Sequence, residues 1–156
     1  MKQLFFLLAL AVDPVSGIAQ SVEAAAPEKT IDTSAFAPVP ADSVDLNEFL
    51  WKNRVVVVFA LTEADPAYVE QLRLLEARWD QMAERDVVLV VDTDPSAMTG
   101  IRQKLRPRGF MMVIIGKDGG VKLRKPFPWD VREISRSIDK MPLRQEELRL
   151  ERLNPG

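Results

Sequence analysis

Along most of the chain, apolar residues arrive either in short runs or at helical spacing, and the two patterns alternate. Val55, Val56, Val57, Val58 and Phe59 form a continuous β-branched and aromatic run, the mark of a strand buried on both faces. Asp65 and Pro66 then supply a helix cap and a first helical residue. Behind them Tyr68, Leu72, Leu75, Trp79 and Met82 recur at spacings of four and three, one apolar face of a helix that ends near Glu84 to Asp86. Val87 to Val91 is a second buried run, predicted to pair parallel with the first through that helical crossover. Asp94 and Pro95 open a short helix over Ser96 to Leu105, and Phe110 to Ile115 forms a third strand. Lys117-Asp118-Gly119-Gly120 turns the chain back into a shorter basic edge strand, Val121 to Arg124. Asp130 and Glu133 resemble a capping box ahead of Val131, Ile134, Ile138 and Met141, which line one face of a closing helix.

The order strand, helix, strand, helix, hairpin, helix is that of an α/β thioredoxin-like fold: three layers, with a central four-stranded mixed sheet and helices on both faces. This domain is expected over residues 45–141. Before it, Leu46, Phe49, Leu50 and Trp51 stand at helical spacing behind Asp45, a short turn that tucks Phe49 and Trp51 against the domain. Residues 20–44 are rich in Ala, Pro and Ser and read as a flexible linker with little order. Residues 142–156 read as a charged helical tail whose apolar positions make no stripe. At the front, Lys2, the apolar run Leu4 to Val12 and the break at Asp13, Pro14 and Gly17 make a signal peptide pattern over residues 1–19. Cleavage is expected after Ala19, with Ala26 as the second choice, and an uncleaved N-terminal helix is the plainer alternative. The pattern places the mature protein in an exported compartment, the periplasm, with no transmembrane segment after signal removal.

Composition changes this picture mainly by subtraction. The chain has 156 residues and a net charge of -2, so no global field favours nucleic acid. It contains no His and no Cys. That removes thiol redox chemistry, thiol and imidazole nucleophiles, a lipoprotein anchor and the usual ligands for zinc, copper and iron.

Three segments carry a family resemblance: WKNRVVVVFA (Trp51 to Ala60), IGKDGGVKLR (Ile115 to Arg124) and IDKMPLRQEELR (Ile138 to Arg149). They resemble the signature segments of the bacterial family called domain of unknown function 4174, over roughly Leu46 to Arg149. The resemblance implies an exported thioredoxin-like domain and no particular activity, so it assigns no role to any residue.

In thioredoxin-like redox proteins a cysteine at the start of the first long helix is activated by the helix dipole. Here Ala64, Asp65, Pro66 and Ala67 take that place, which excludes dithiol exchange and thiol peroxidase chemistry. Glu63 and Asp65 could act as acid or base, but capping is the plainer role for Asp65. Asp92 and Asp94 alternate at a strand end, where they either hold a hard cation or simply solvate and cap. Arg102, Lys104, Arg106 and Arg108 form a basic cluster in the loop expected to face Glu63 and Asp65. Lys117, Lys122, Arg124 and Lys125 form another on the hairpin. Phe127 and Trp129 form either a lid over the core or an exposed contact.

The sequence therefore points to a non-catalytic, exported binding module. It would contact an unknown protein or envelope component through Glu63, Asp65, Arg106 and Arg108, with no cofactor or metal. The alternatives are a carboxylate-based or hard-metal-assisted enzyme and a purely structural envelope protein.

Overall fold

A computed structural model describes residues 30–156, of which Ile31–Gly156 form one compact unit. The expected signal peptide and the first part of the linker lie outside the described residues. Strand β1 is Val39–Pro40, β2 is Arg54–Phe59, β3 is Val87–Asp92, β4 is Met111–Ile115 and β5 is Val121–Lys125. They lie side by side in the order β1-β3-β2-β4-β5. β2 pairs parallel with β3 and antiparallel with β4, and β5 closes the hairpin. The sheet thus has five strands rather than the four expected.

The extra strand comes from the stretch read as linker. Val39 and Pro40 pair parallel with Val90 and Val91, Ala41 is buried, and Phe36 meets Trp79 edge to face at 5.5 Å. The indole of Trp79 donates to the Thr33 carbonyl at 2.9 Å. This part of the supposed linker is ordered because a few large side chains and one edge of β3 hold it, a gain that a lack of periodicity does not reveal.

Alternation along the strands divides the interior into two layers. Val56, Val58, Leu89, Met112 and Ile114 point to the side covered by α1 (Pro66–Glu76), α2 (Trp79–Ala83) and α4 (Val131–Asp139). Val55, Val57, Phe59, Val88, Val90 and Val113 point to the other side, covered by α3 (Gly100–Leu105) and the short 3-10 turns Ala41–Ser43 and Leu46–Phe49. Val56 through Phe59 are completely buried, each worth about 1.5–3 kcal/mol of apolar transfer. That burial makes β2 the centre of the sheet.

The helices depart from expectation in detail. The first long helix breaks at Ala77 and Arg78 into α1 and α2, although Trp79 and Met82 still continue the buried face of Tyr68 and Leu75. The helix expected over Ser96 to Leu105 is also two pieces. Asp94 caps the turn Pro95–Ala97, Met98 adopts a left-handed conformation, and Thr99 caps α3. The reciprocal capping box forms at Asp45 and Glu48, whereas Asp130 caps α4 through the Arg132 amide and Glu133 pairs with Arg136. Phe49 is buried as expected, but Trp51 is 69% exposed. It sits at φ 63 where the chain turns into β2.

The final helix, α5 (Pro142–Leu153), forms as expected, with Pro142 at its start, where it separates α5 from α4. It is more than a solvated tail. Arg144 is buried, and Glu147 reaches back to Arg54 at the start of β2 and to Lys117. Among the described residues no helix is long and apolar enough to cross a membrane.

Candidate functional site

In open parallel sheets ligands are taken up beyond the carboxyl ends of the strands, and here that end is the elbow between β2 and α1. The Ala60 amide donates to the Asp92 carbonyl at 2.9 Å, holding the end of β2 against β3. Leu61 to Ala64 then turn over the sheet edge as exposed residues. Asp65 accepts from the Ala67 amide at 2.8 Å and Pro66 begins the helix, which is the capping arrangement its sequence predicts. The elbow is thus built from a cap, a proline and two alanines.

Beside the elbow lies a cavity of about 180 Å³ between the ends of β1 and β3, the start of α1 and the turn before α3. Its lining includes Asp42, Glu63, Tyr68, Asp92, Asp94 and Thr99. Two of these carboxylates are committed to the fold. Asp92 is buried and accepts from the Thr99 hydroxyl at 2.7 Å and from Arg102 at 2.7 and 3.1 Å. Arg102 also donates to the carbonyls of Ala60 and Asp92 at 3.1 Å, with its guanidinium 5.3 Å from the centre of the Phe59 ring. Asp94 accepts from the hydroxyl and amide of Ser96, which hold its carboxyl below the usual range.

The other two are different. Asp42 and Glu63 are exposed, and among the described residues no ion pair neutralises either. Tyr68 is more than nine-tenths buried, yet among the described residues its hydroxyl forms no hydrogen bond. That oxygen is not fully buried, and Tyr68 lines the cavity together with Glu63. Burial first, then the negative charge of Glu63, raises the Tyr68 pKa above its ordinary value, so the hydroxyl stays protonated at neutral pH.

Of the four residues expected to form a contact face, the structure puts Glu63 at the cavity and uses Asp65 as a cap. Arg106 and Arg108 are exposed in the segment that follows α3 and leads into β4. Arg106 closes that helix in a left-handed conformation and borders a shallow groove with Met98 and Gln103. No ion pair among the described residues joins Glu63 or Asp65 to Arg106 or Arg108; the contact between acidic strand end and basic helix is made by Asp92 and Arg102. Sequence reasoning placed Tyr68 only in the core and Asp42 only in the linker. The spacing of Asp92, Thr99 and Arg102, a strand-end acid followed by a donor pair three residues apart on a helix, is the signal that could have revealed their cluster.

The second basic group is also dispersed. Lys117 pairs with Asp86 and Glu147, Lys122 with Asp118, and Arg124 donates to the Leu105 carbonyl. Lys125 lies 4.5 Å from the Trp129 ring centre. Trp129 packs partly buried on the core, its backbone amide and carbonyl both bonded by the buried amide of Gln71, whereas Phe127 is exposed.

The backbone arrangement is similar to that of two solved peroxiredoxins. It matches the reduced 2-Cys peroxiredoxin of Plasmodium vivax with a TM-score of 0.55 at 16% identity, over 66% of this chain and 85% of that one. Prx1a of Plasmodium yoelii matches with a TM-score of 0.53 at 18% identity, over 66% and 81%. The likeness is one of fold, and the fold is thioredoxin-like. In sequence, the coiled-coil domain-containing protein 80 of Danio rerio is 27% identical over 136 residues, 68% of this chain and 16% of that protein. This chain therefore spans about a sixth of that relative's length. Residues 45–147 match the family model described as "Domain of unknown function (DUF4174)", and the chain belongs to that family.

Proposed function

We propose that this protein is a thioredoxin-like binding module that works by contact rather than catalysis, through the loop face at the carboxyl ends of β2 and β3. The observation that carries this reading is the elbow itself. Asp65 is spent on capping Ala67 in a chain with no cysteine, while Glu63 beside it and Arg106 and Arg108 after α3 remain exposed and, among the described residues, without ion pairs. A general acid needs a carboxyl held above its ordinary pKa. Every carboxyl with a resolved shift moves the other way, Asp94 at this face included. Action in an exported compartment is part of the proposal and rests on the sequence pattern of residues 1–19.

The test is affinity capture by the full chain from an envelope extract, repeated with Arg106→Ala plus Arg108→Ala and with Glu63→Gln. The expected result is a reproducible partner whose recovery falls with at least one of these changes. A partner indifferent to all of them, or none, would overturn the reading.

A further inference from the structure

Building on that binding reading, we infer that the cavity beside the elbow receives the cationic head of an arginine or lysine side chain from a partner protein, with Glu63, Asp42 and the Tyr68 hydroxyl as its acceptors. The charge balance points to a cation. Asp42, Glu63, Asp92 and Asp94 line the cavity, and the nearest base, Arg102, is already engaged by Asp92. That leaves Asp42 and Glu63 at the cavity with no ion-pair partner among the described residues, beside an Asp94 already held by Ser96. Like charges so placed repel one another, and a cation between them removes the repulsion.

Tyr68 supplies a second, independent indication. Its ring is buried in the core, while its hydroxyl keeps contact with solvent and, among the described residues, forms no hydrogen bond, so at the cavity it is a donor and acceptor that the fold leaves unused. It can accept one N–H from the incoming head while its own proton is directed to the neighbouring carboxylate, whose charge is felt at the ring.

Size and shape select the kind of cation. At about 30 Å³ for each water, the cavity holds roughly six, enough for one side chain and too little for most small-molecule ligands. Among the described residues no three acidic side chains converge closely enough to hold a metal ion. The carboxylates form a spread rim, which suits a planar guanidinium or an ammonium with several N–H donors.

The surroundings favour a cation carried by a protein. Leu61, two residues before Glu63 and 56% exposed, stands on the loop that carries that carboxylate, while Met98, 60% exposed at φ 47, borders the separate groove with Gln103 and Arg106. Apolar side chains outside an acidic hole fit a basic residue set among apolar ones.

The experiment is an NMR titration of the full chain with a short acetylated peptide carrying one arginine between two leucines, alongside its citrulline counterpart and calcium chloride. Saturable shifts at the amides of Glu63, Tyr68, Thr93 and Thr99 are expected. Affinity should fall about tenfold for the citrulline peptide and for Glu63→Gln combined with Asp42→Asn, the loss typical of a charge-assisted hydrogen bond. It should fall several-fold for Tyr68→Phe, which leaves the buried ring in place, and should largely survive Glu63→Asp. Equal binding of the citrulline peptide, indifference to the variants, calcium displacing the peptide from the same amides, or no saturable binding would each overturn the inference. If a captured partner depends on Arg106 and Arg108 but not on Glu63 and Asp42, the binding module stands and this ligand assignment falls. If capture and titration both fail, both readings fall.

Discussion

The two ends of β2 carry the same kinds of charged residue and use them in opposite ways. At the amino end Arg54, 1% exposed, donates to both Glu147 oxygens at 3.1 Å and to the Arg85 carbonyl at 2.9 Å. Lys117 joins Glu147 and Asp86, while Arg144 joins Glu147 and Glu151, so α5 is held to the sheet through matched charges. At the carboxyl end, among the described residues, Asp92 alone forms an ion pair, with Arg102, and Asp42, Glu63 and Asp94 around it line an open cavity. A charge paired inside the fold fixes structure, because removing its partner strands it in a poor dielectric. A charge left unpaired at the surface costs the fold little and remains available to something outside it. The comparison predicts that stability effects should be large at the amino end and shrink toward Glu63, where binding effects should be largest.

The largest loss is expected for Glu147→Ala, which leaves the Arg54 guanidinium buried without its carboxylate and should cost about 3 kcal/mol in denaturant unfolding at neutral pH. The exchange Arg54→Met with Glu147→Leu removes both charges, and with them the Arg54 Nε that is buried without an acceptor; it should recover most of that loss. A double change as damaging as the single one would show that the pair itself, and not the stranded charge, is what matters. The acid limb offers a separate check. Burial disfavours the charged Glu147, but hydrogen bonds from Lys117 and Arg144 and the charge of Arg54 outweigh it and hold the carboxyl below its ordinary value. A depressed folded-state pKa contributes stability that is complete above the unfolded-state value, about 4.3, and is lost as pH falls through the folded-state one. The stability gap between wild type and Glu147→Ala should therefore narrow as pH drops from about 5 to about 3, and a gap that widened would contradict the assignment.

This difference between ends also governs how much could be read from the sequence. The Val55 to Phe59 run, the Asp65-Pro66 helix start and the Lys117 to Gly120 turn are local patterns, and the structure follows them because strand burial, capping and turn geometry are decided within a few residues. The bridge from Arg54 to Glu147 spans 93 positions, and nothing local marks it. Arg54 precedes the apolar run of a strand, and Glu147 is one of several acids in a charged helix. The pairing of Val39 and Pro40 with β3 escaped for a related reason, since two residues carry no period. At the cavity, Glu63 was legible as an exposed acid beside a helix start. The cavity itself was not, because Asp42 reaches it through β1 and Tyr68 through the helix face that also fills the core.

A smaller effect is expected where the carboxyl end is paired. Asp92→Ala should cost about 2 kcal/mol, less than Glu147→Ala, because Arg102 keeps two carbonyl acceptors, Ala60 and Asp92, where Arg54 keeps that of Arg85 alone. Thermal unfolding would measure it, and a cost above that of Glu147→Ala would reverse the ranking of the two ends. Smaller again is Asp65→Ala, the loss of one cap, at about 1 kcal/mol. That change also tests whether the elbow is simply a helix start, because a helix start loses its cap energy and nothing else.

The smallest expected change is the sharpest test. Glu63→Gln keeps the shape of the side chain and removes a charge with no ion-pair partner in the fold, so stability should move by no more than about 0.5 kcal/mol in either direction. A gain within that range would fit relief of repulsion with Asp42 and Asp94. A clear loss would mean that Glu63 is tied into the fold after all, and the carboxyl end would then differ from the amino end only in degree. Measured beside the peptide titration, a variant that keeps its stability but loses the arginine ligand would separate the two uses of charge at a single position: the fold does not need this carboxylate, and the partner does.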